Sequence, residues 1–269
     1  MSYLLIPRVE VFGANAQSAY TVVSGPSPLA FLGFARKLLI DLRGGDATDT
    51  DRVRVAILHH DLEMRGEDSY HFKPSQLRGA ALTYDSNAKH KGKSNDYAKE
   101  SFSMSLQPVV LCNLTVSLIL SGFDDFTVEQ IDDAVRNLRI AGGHIRDFGR
   151  IRSFDSIEAA VKRSGNGYFM TERSDLLNVQ GKDKIRAMLT AVSKREENDG
   201  WLIPINLGFL PITPFTQKEA SRGSFPHAYA EPLIGFVQYK NRRALDKEEK
   251  PIPFWRYARA GDAFVASCK

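Results

Sequence analysis

The chain has 269 residues, of which 43% are hydrophobic and 25% charged, and its formal net charge is +4. This composition predicts a soluble globular protein with a sizeable core. The longest apolar run, at 109–120, contains Asn113 and is too short to span a bilayer, so we expect no membrane segment. The first residues do not form a charged region followed by an apolar one, so we predict no signal peptide. Cys112 and Cys268 are far apart in the sequence, which favours a reducing compartment, and we expect a cytoplasmic protein.

The predicted elements alternate between strands and helices. Pro28 lies near the start of the first helix and the Arg-Gly-Gly at 43–45 ends it, whereas Thr127 caps the second helix and Gly142 and Gly143 end it. In chain order, the predictions are a strand at 3–12, a helix at 27–42, a strand at 51–64, a strand or extended arm at 70–84, a strand at 109–123, helices at 126–143 and 182–197, and a strand or hairpin at 200–213.

This order of elements predicts an α+β fold with a ferredoxin-like or RRM-like core and additional C-terminal elements. In such a fold helices cover one face of the sheet, and the other face is free to meet a ligand. Nucleic acid is a common ligand of that face.

A lysine-rich segment at 83–101 contains Lys89, Lys91 and Lys93 and no aliphatic side chain larger than Ala. Such a segment cannot bury itself, so we expect a mobile, exposed arm inserted into the domain. Its positive charge suits a phosphate backbone, and Tyr84 and Tyr97 could stack on bases. The alternative is a solvated loop without a role.

A second basic cluster follows the 126–143 helix and includes Arg139, His144 and Arg146. The glycines among these residues allow a ligand to approach the backbone closely. The planar guanidinium of arginine can bind a phosphate through two hydrogen bonds. The alternative is a solvated helix end. Arg222, in a turn-rich stretch at 221–229, could touch RNA or a protein partner, or could belong to a plain surface loop.

The histidines suggest chemistry less clearly. His59 and His60 are adjacent, so on a strand they face opposite ways and cannot bind one ion together. We find no phosphate loop, dinucleotide fingerprint, nucleophile elbow or cysteine–histidine pattern, and therefore predict no metal, no cofactor and no catalytic residues. A guide-processing endoribonuclease that uses His59, His60 or His144 as its base stays open as an alternative.

Five stretches, in order, resemble a known family. The opening at 4–38, with its strand, its small-residue turn and its Pro-Ser-Pro segment before Phe-Leu-Gly-Phe, is similar to the second Csy subunit of type I-F CRISPR surveillance complexes. Gly13 replaces an Asn of that family, and the chain is shorter in its middle and C-terminal third, which indicates a diverged or minimal member. The later matching stretches are 114–120, 137–145, 200–214 together with 231–237, and 254–266.

The resemblance implies a single RAMP-type domain over residues 1–269 that is not an enzyme. It would bind the 5′ handle of the CRISPR guide RNA and cap the Cascade backbone filament. Its other partners would be the backbone subunit, the large subunit or its replacement, and target DNA. A backbone subunit that polymerises along the guide spacer is the alternative within binding modules. The RNA-binding residues predicted are Asn15, Ser18, Arg36, Lys89, Lys91, Lys93, Arg139, His144, Arg146 and Arg222.

The small residues at 13–18 acquire a functional interpretation from this resemblance. We expect Gly13, Ala14 and Ala16 to let an RNA backbone lie flat against the chain, with Asn15 and Ser18 within reach of phosphates or base edges. The alternative is a solvent-exposed loop that leads into the helix.

Overall fold

The computed structural model describes residues 2–19, 22–67, 73–74, 76–84, 102–177, 183–193, 201–217 and 226–268. Four of the predicted RNA-binding residues, Lys89, Lys91, Lys93 and Arg222, lie outside these ranges, as does most of the predicted arm at 83–101. No helix in the described ranges is both long enough and apolar enough to cross a membrane.

The described residues form five α-helices and sixteen strands. The helices are α1 (Pro28–Leu42), α2 (Val128–Arg136), α3 (Ile157–Ser164), α4 (Lys184–Ser193) and α5 (Arg242–Lys247). The strands are β1 (Tyr3–Asn15), β2 (Gln17–Ala19), β3 (Val22–Val23), β4 (Arg54–Met64), β5 (Gly66–Glu67), β6 (Lys73–Pro74), β7 (Gln76–Tyr84), β8 (Phe102–Ser121), β9 (Arg139–Ile140), β10 (Gly143–Asp147), β11 (Arg152–Phe154), β12 (Tyr168–Glu172), β13 (Trp201–Pro211), β14 (Ala230–Lys240), β15 (Arg256–Ala260) and β16 (Ala263–Ser267).

Twelve strands join in one antiparallel sheet, in the order β15-β16-β13-β14-β12-β4-β8-β1-β10-β9, with β11 beside β1 and β7 beside β8. The α+β class predicted from the sequence is therefore confirmed. Along the chain β1, α1, β4, β8, α2 and β10 follow one another, and their strands are neighbours in the order β4-β8-β1-β10. The finer assignment to an RRM-like core stays a prediction.

Helix α1 covers one face of this sheet. The Ser27 hydroxyl accepts a hydrogen bond from the backbone N–H of Leu29 at 3.1 Å, and Pro28 occupies the first turn, where its missing N–H costs nothing. The helix buries Phe31 and Leu38 against every second residue of the neighbouring strands, and residues of α2 join the same cluster. This cluster is the main core of the protein.

Helix α2 is shorter than the sequence predicted. A capping box of Thr127 and Gln130 begins it as expected, but Asn137 ends it, and Gly142 and Gly143 play no part in its termination. Ala141 and Gly142 both have positive φ and form the two-residue turn of the β9–β10 hairpin. The glycines therefore belong to a hairpin, which places Arg139 on one of its strands and His144 on the other.

Among the described residues, packing on the opposite face of the sheet lies at one end. There Leu5, Leu58 and Ile119 pack with Val161 of α3. Along β1 the side chains alternate between the two faces, and beyond this second cluster Phe12 is exposed. The face opposite α1 therefore reaches solvent at the end of the sheet formed by β1, β10 and β9.

Candidate nucleic-acid interface

The small-residue stretch at 13–18 is not a loop. Strand β1 continues through Asn15, and Ala14 and Ala16 are fully buried in the main core. A Cβ atom on Gly143 would lie only 2.7 Å from the backbone nitrogen of Ala14, so these strands approach very closely. The expectation that Ala14 and Ala16 make room for RNA is wrong, because their small size serves packing inside the protein. The alternative of a solvent-exposed loop is wrong for the same reason.

Asn15 and Ser18 have different environments within this stretch. Asn15 is exposed, and its Oδ1 accepts a hydrogen bond from the backbone N–H of Gln17 at 3.0 Å. Ser18 is half-buried, and its Oγ accepts from the backbone N–H of Asn206 at 3.3 Å, which ties β2 to β13. Asn15 therefore has a surface free for contact, whereas Ser18 is engaged in holding two strands together.

A break in β1 follows Phe12. The pairing of β1 with β8 shifts register between Val11 and Ala14, which is typical of a β-bulge. Gly13 takes a φ of +69°, a region that glycine enters without strain, and its N–H donates to Asn113 Oδ1 at 3.2 Å. Phe12 is 38% exposed on the face opposite the main core, as alternation from the buried Val11 requires, and the break after it returns Ala14 to the core.

Two arginines lie against the Phe12 ring. The guanidinium carbons of Arg65 and Arg146 are 4.8 Å and 5.5 Å from its centroid, within the range of cation–π contact. Neither arginine forms an ion pair with any residue that the structure describes. Their charges are therefore available to a ligand.

The β9–β10 hairpin adds two more basic side chains beside these. His144 pairs with Phe12 across the strands, and Arg139 pairs with His144, so the three lie on one face of the sheet. Both His144 and Arg139 are exposed. We call this set the arginine–aromatic surface, and it consists of Phe12, Arg65, Arg139, His144 and Arg146.

Carboxylates border the arginine–aromatic surface on its β4 side. A groove of about 240 Å³ runs from Phe12 and Arg146 toward Glu10, Asp61 and Glu63. Phosphates are repelled by this acidic floor and attracted to the arginines. The arginines are therefore suited to bind phosphates, and the acidic groove is suited to bind hydrogen-bond donors of a ligand.

Arg36 does not join this surface. It lies on α1, which packs against the other face of the sheet, and its Nε atom is buried without a hydrogen-bond partner among the described residues. The Arg36 charge acts on the Tyr257 hydroxyl, whose pKa is raised mainly by burial and is lowered somewhat by Arg36. The structure therefore separates Arg36 from Arg139, His144 and Arg146, with which the sequence had grouped it.

The adjacent histidines occupy opposite sides of β4. His59 is buried between Phe31 and Tyr239, and burial lowers the pKa of His59 to about 3. His60 Nδ1 lies 2.6 Å from the carbonyl oxygen of Asn166 and its Nε2 lies 2.7 Å from Ser117 Oγ. Burial also lowers the pKa of His60, against the raising effect of its bond to Asn166. Both His60 nitrogens are thus engaged by the protein itself.

No three His, Cys, Asp or Glu side chains within the described ranges lie close enough to hold a metal ion. Both cysteines are free thiols, and burial raises the pKa of Cys112 to about 12. No described residue therefore offers a metal centre or a reactive thiolate at the arginine–aromatic surface.

Sequence reasoning missed Phe12 and Arg65. Val9 and Val11 point into the core, so the alternation of β1 already predicts that Phe12 faces outward, where an aromatic ring is unusual. That signal was available in the sequence. Arg65 has no such signal, because only the fold of the chain after β4 brings it over Phe12.

One comparison with known proteins decides the family. A family model for CRISPR-associated protein (Cas_Csy2) matches residues 4–192, well over half of the chain. The chain belongs to the Csy2 family of CRISPR-associated proteins. Membership of this family indicates a subunit of a CRISPR effector complex of the Cascade kind. No curated protein gives a significant match to the chain.

Proposed function

We propose that this Csy2-family chain is a non-catalytic subunit of a type I-F Cascade that binds the 5′ handle of the guide RNA and caps the backbone filament. The observation that carries the proposal is the arginine–aromatic surface. It combines an exposed ring on a sheet face with arginines that form no ion pair with any described residue. This combination is typical of proteins that bind single-stranded RNA.

In the proposed complex the arginines bind the RNA backbone. Arg65, Arg139 and Arg146 are exposed, and a guanidinium can hold a phosphate with two parallel hydrogen bonds. Each phosphate contact with single-stranded RNA releases counterions and contributes about 0.7 to the slope of log affinity against log salt.

The ring and the carboxylates would bind bases. One base of the handle stacks on the exposed part of Phe12, as bases do on aromatic side chains of RNA-binding sheets. The acidic groove beside it, with Asp61 and Glu63, accepts hydrogen bonds from exocyclic amino groups of that base or its neighbour. Phosphates along the arginines and amino groups over the carboxylates together fix the direction of the strand.

Another exposed feature supports contact with other subunits. Ile185, Leu189 and Val192 on α4 are exposed and recur at helical spacing, which gives this helix an apolar outer face. Large exposed apolar surfaces mark interaction sites. We include the backbone subunit, the large subunit or its replacement, and target DNA among the proposed partners. The lysine-rich segment at 83–101, most of which lies outside the described residues, is proposed as a further RNA contact.

The proposal is tested by measuring the affinity of the full-length chain for a 5′-handle RNA and for a spacer-only RNA of equal length. We expect tighter binding of the handle, and a ratio of one chain per guide in the assembled complex. Replacement Arg146→Ala should weaken handle binding by about 1 kcal/mol, or roughly fivefold. The matched control is Arg259→Ala, which removes the same charge from β15 at the far end of the sheet order.

Three results would contradict the proposal. Equal losses in Arg146→Ala and Arg259→Ala would mean that only overall charge matters. Several chains per guide would favour the backbone subunit, and cleavage of repeat RNA that is lost in His144→Ala would favour the endoribonuclease.

A further inference from the structure

A second cavity opens on the other side of β4 from the acidic groove. Its volume is about 280 Å³, and His59, Tyr168, Trp201, Ile203 and Tyr239 line it. This size lies just below the roughly 300–1,000 Å³ of ordinary small-molecule pockets. The cavity therefore suits one flat ring system with a few polar atoms.

Two stacked aromatic rings form the outer wall of this cavity. The rings of Tyr168 and Trp201 are 6.0 Å apart between centroids and nearly parallel, at 18°. Tyr168 is 46% exposed and Trp201 is 72% exposed, so most of the indole remains in solvent. Large aromatic faces left in solvent beside a cavity indicate a ligand that itself offers a flat π face.

The inner wall holds a buried polar group without a partner. His59 is 6% exposed, and neither ring nitrogen has a hydrogen-bond partner among the described residues. Edge-to-face contacts with Phe31, at 5.8 Å, and Tyr239, at 5.1 Å, fix its ring. Leaving a buried polar group unpaired is unfavourable, and a neutral imidazole offers one donor and one acceptor.

We propose that this cavity receives one unstacked nucleobase, which packs against Trp201 and Tyr168 and forms a hydrogen bond with His59. A nucleobase combines a flat aromatic face with adjacent donors and acceptors on its edge. Burial keeps His59 neutral, so it can match such an edge.

The base can come from a free nucleotide or from single-stranded nucleic acid. Asp61 lines both this cavity and the acidic groove, so the two lie next to each other across β4. A strand that crosses the arginine–aromatic surface could therefore insert one base here. This would extend the proposed function by a second base-binding site, but the cavity is testable without guide RNA.

The test titrates the full-length chain with AMP, GMP, CMP and UMP separately, and with a short single-stranded RNA, while tryptophan fluorescence is recorded. Trp201 is exposed, whereas Trp255 is fully buried and donates its Nε1–H to the carbonyl oxygen of Met170. We therefore expect quenching of the Trp201 signal by at least one nucleotide or by the oligonucleotide. In Trp201→Phe the remaining Trp255 emission should not respond.

Calorimetry on two cavity variants and one control variant then locates the binding. Trp201→Ala should weaken it by about tenfold or more, since one stacking contact is lost. His59→Phe keeps a ring between Phe31 and Tyr239 and removes both nitrogens, and it should weaken binding by about tenfold. Phe215→Ala removes another exposed ring that does not line the cavity, and it should leave affinity unchanged.

The outcomes separate this inference from the proposed function. Quenching by the oligonucleotide alone supports a base supplied by a polymer, and quenching by a mononucleotide supports a free ligand as well. No quenching by any of the five probes, or equal affinity in Trp201→Ala, His59→Phe and Phe215→Ala, overturns the inference. Arg146→Ala should leave mononucleotide binding intact even where it weakens binding of guide RNA.

Discussion

Lowering the pH from 7 to 5 should destabilise the wild-type chain, and replacement of His59 by Phe should remove much of that loss. Burial lowers the pKa of His59 to about 3 from an ordinary value of 6.5. Between these two values the unfolded chain binds a proton that the folded chain does not bind. The free energy of unfolding therefore falls as the pH falls through this window.

The loss in the free energy of unfolding depends on how far the pH falls below 6.5. Each pH unit below 6.5 costs about 1.4 kcal/mol, and pH 5 lies about 1.5 units below it, so His59 should account for about 2 kcal/mol. His60 adds a loss of the same sign, because its pKa is also lowered. Glu248, whose bonds to Lys240 and Lys250 lower its pKa to about 2, loses its contribution only below its ordinary value of 4.5.

The assay is urea denaturation at pH 7 and pH 5 on the wild type, on His59→Phe and on His144→Ala. At pH 7 His59→Phe should be close to the wild type in stability, because it keeps the ring and removes two nitrogens that have no hydrogen-bond partner among the described residues. At pH 5 it should be more stable than the wild type by about 2 kcal/mol. His144 is exposed, so His144→Ala should follow the wild type. An equal loss in wild type and His59→Phe would refute the reasoning.

Four further replacements test the packing and capping of the fold. Ala14→Trp and Ala16→Trp should each lower the free energy of unfolding by more than about 3 kcal/mol, because both sites are fully buried; urea midpoints near the wild-type value would contradict this. Gly143→Ala should destabilise the β1–β10 pair, since the new Cβ meets the Ala14 backbone at 2.7 Å, and hydrogen exchange of β10 amides measures this. Thr127→Ala should cost about 1 kcal/mol through loss of the capping box, and an unchanged thermal midpoint would count against it.

Local signals in the sequence predicted much of the fold. Ser27 and Pro28 mark the start of α1, Thr127 marks the start of α2, and the alternation of apolar residues predicts β1 and β4. These features depend on residues that are only a few positions apart in the sequence. They can therefore be predicted without knowledge of the tertiary structure.

Errors arose where residues far apart in the chain determine the structure. Gly142 and Gly143 could end a helix or turn a hairpin, and only the pairing of β10 with β1 selects the hairpin. Ala14 and Ala16 are small because neighbouring strands press on them, which the sequence of 13–18 alone does not reveal.

The candidate interface was predicted in part. The spacing of Arg139, His144 and Arg146 predicts a basic cluster. The aromatic ring beside it, Phe12, and the third arginine, Arg65, come from elements more than fifty residues apart. The burial of His59 could not have been predicted from the sequence, because the rings that surround it come from α1 and β14.

The central claim is that guide RNA lies on the arginine–aromatic surface. The most direct measurement is photo-crosslinking of a 5′-handle RNA that carries 4-thiouridine to the full-length chain, with the crosslinked peptides identified by mass spectrometry. The account predicts crosslinks to the peptides that contain Phe12 and residues 139–146, and their loss in Phe12→Ala and Arg146→Ala. Crosslinks confined to β15 and β16, or crosslinks to these peptides that persist in both variants, would contradict it.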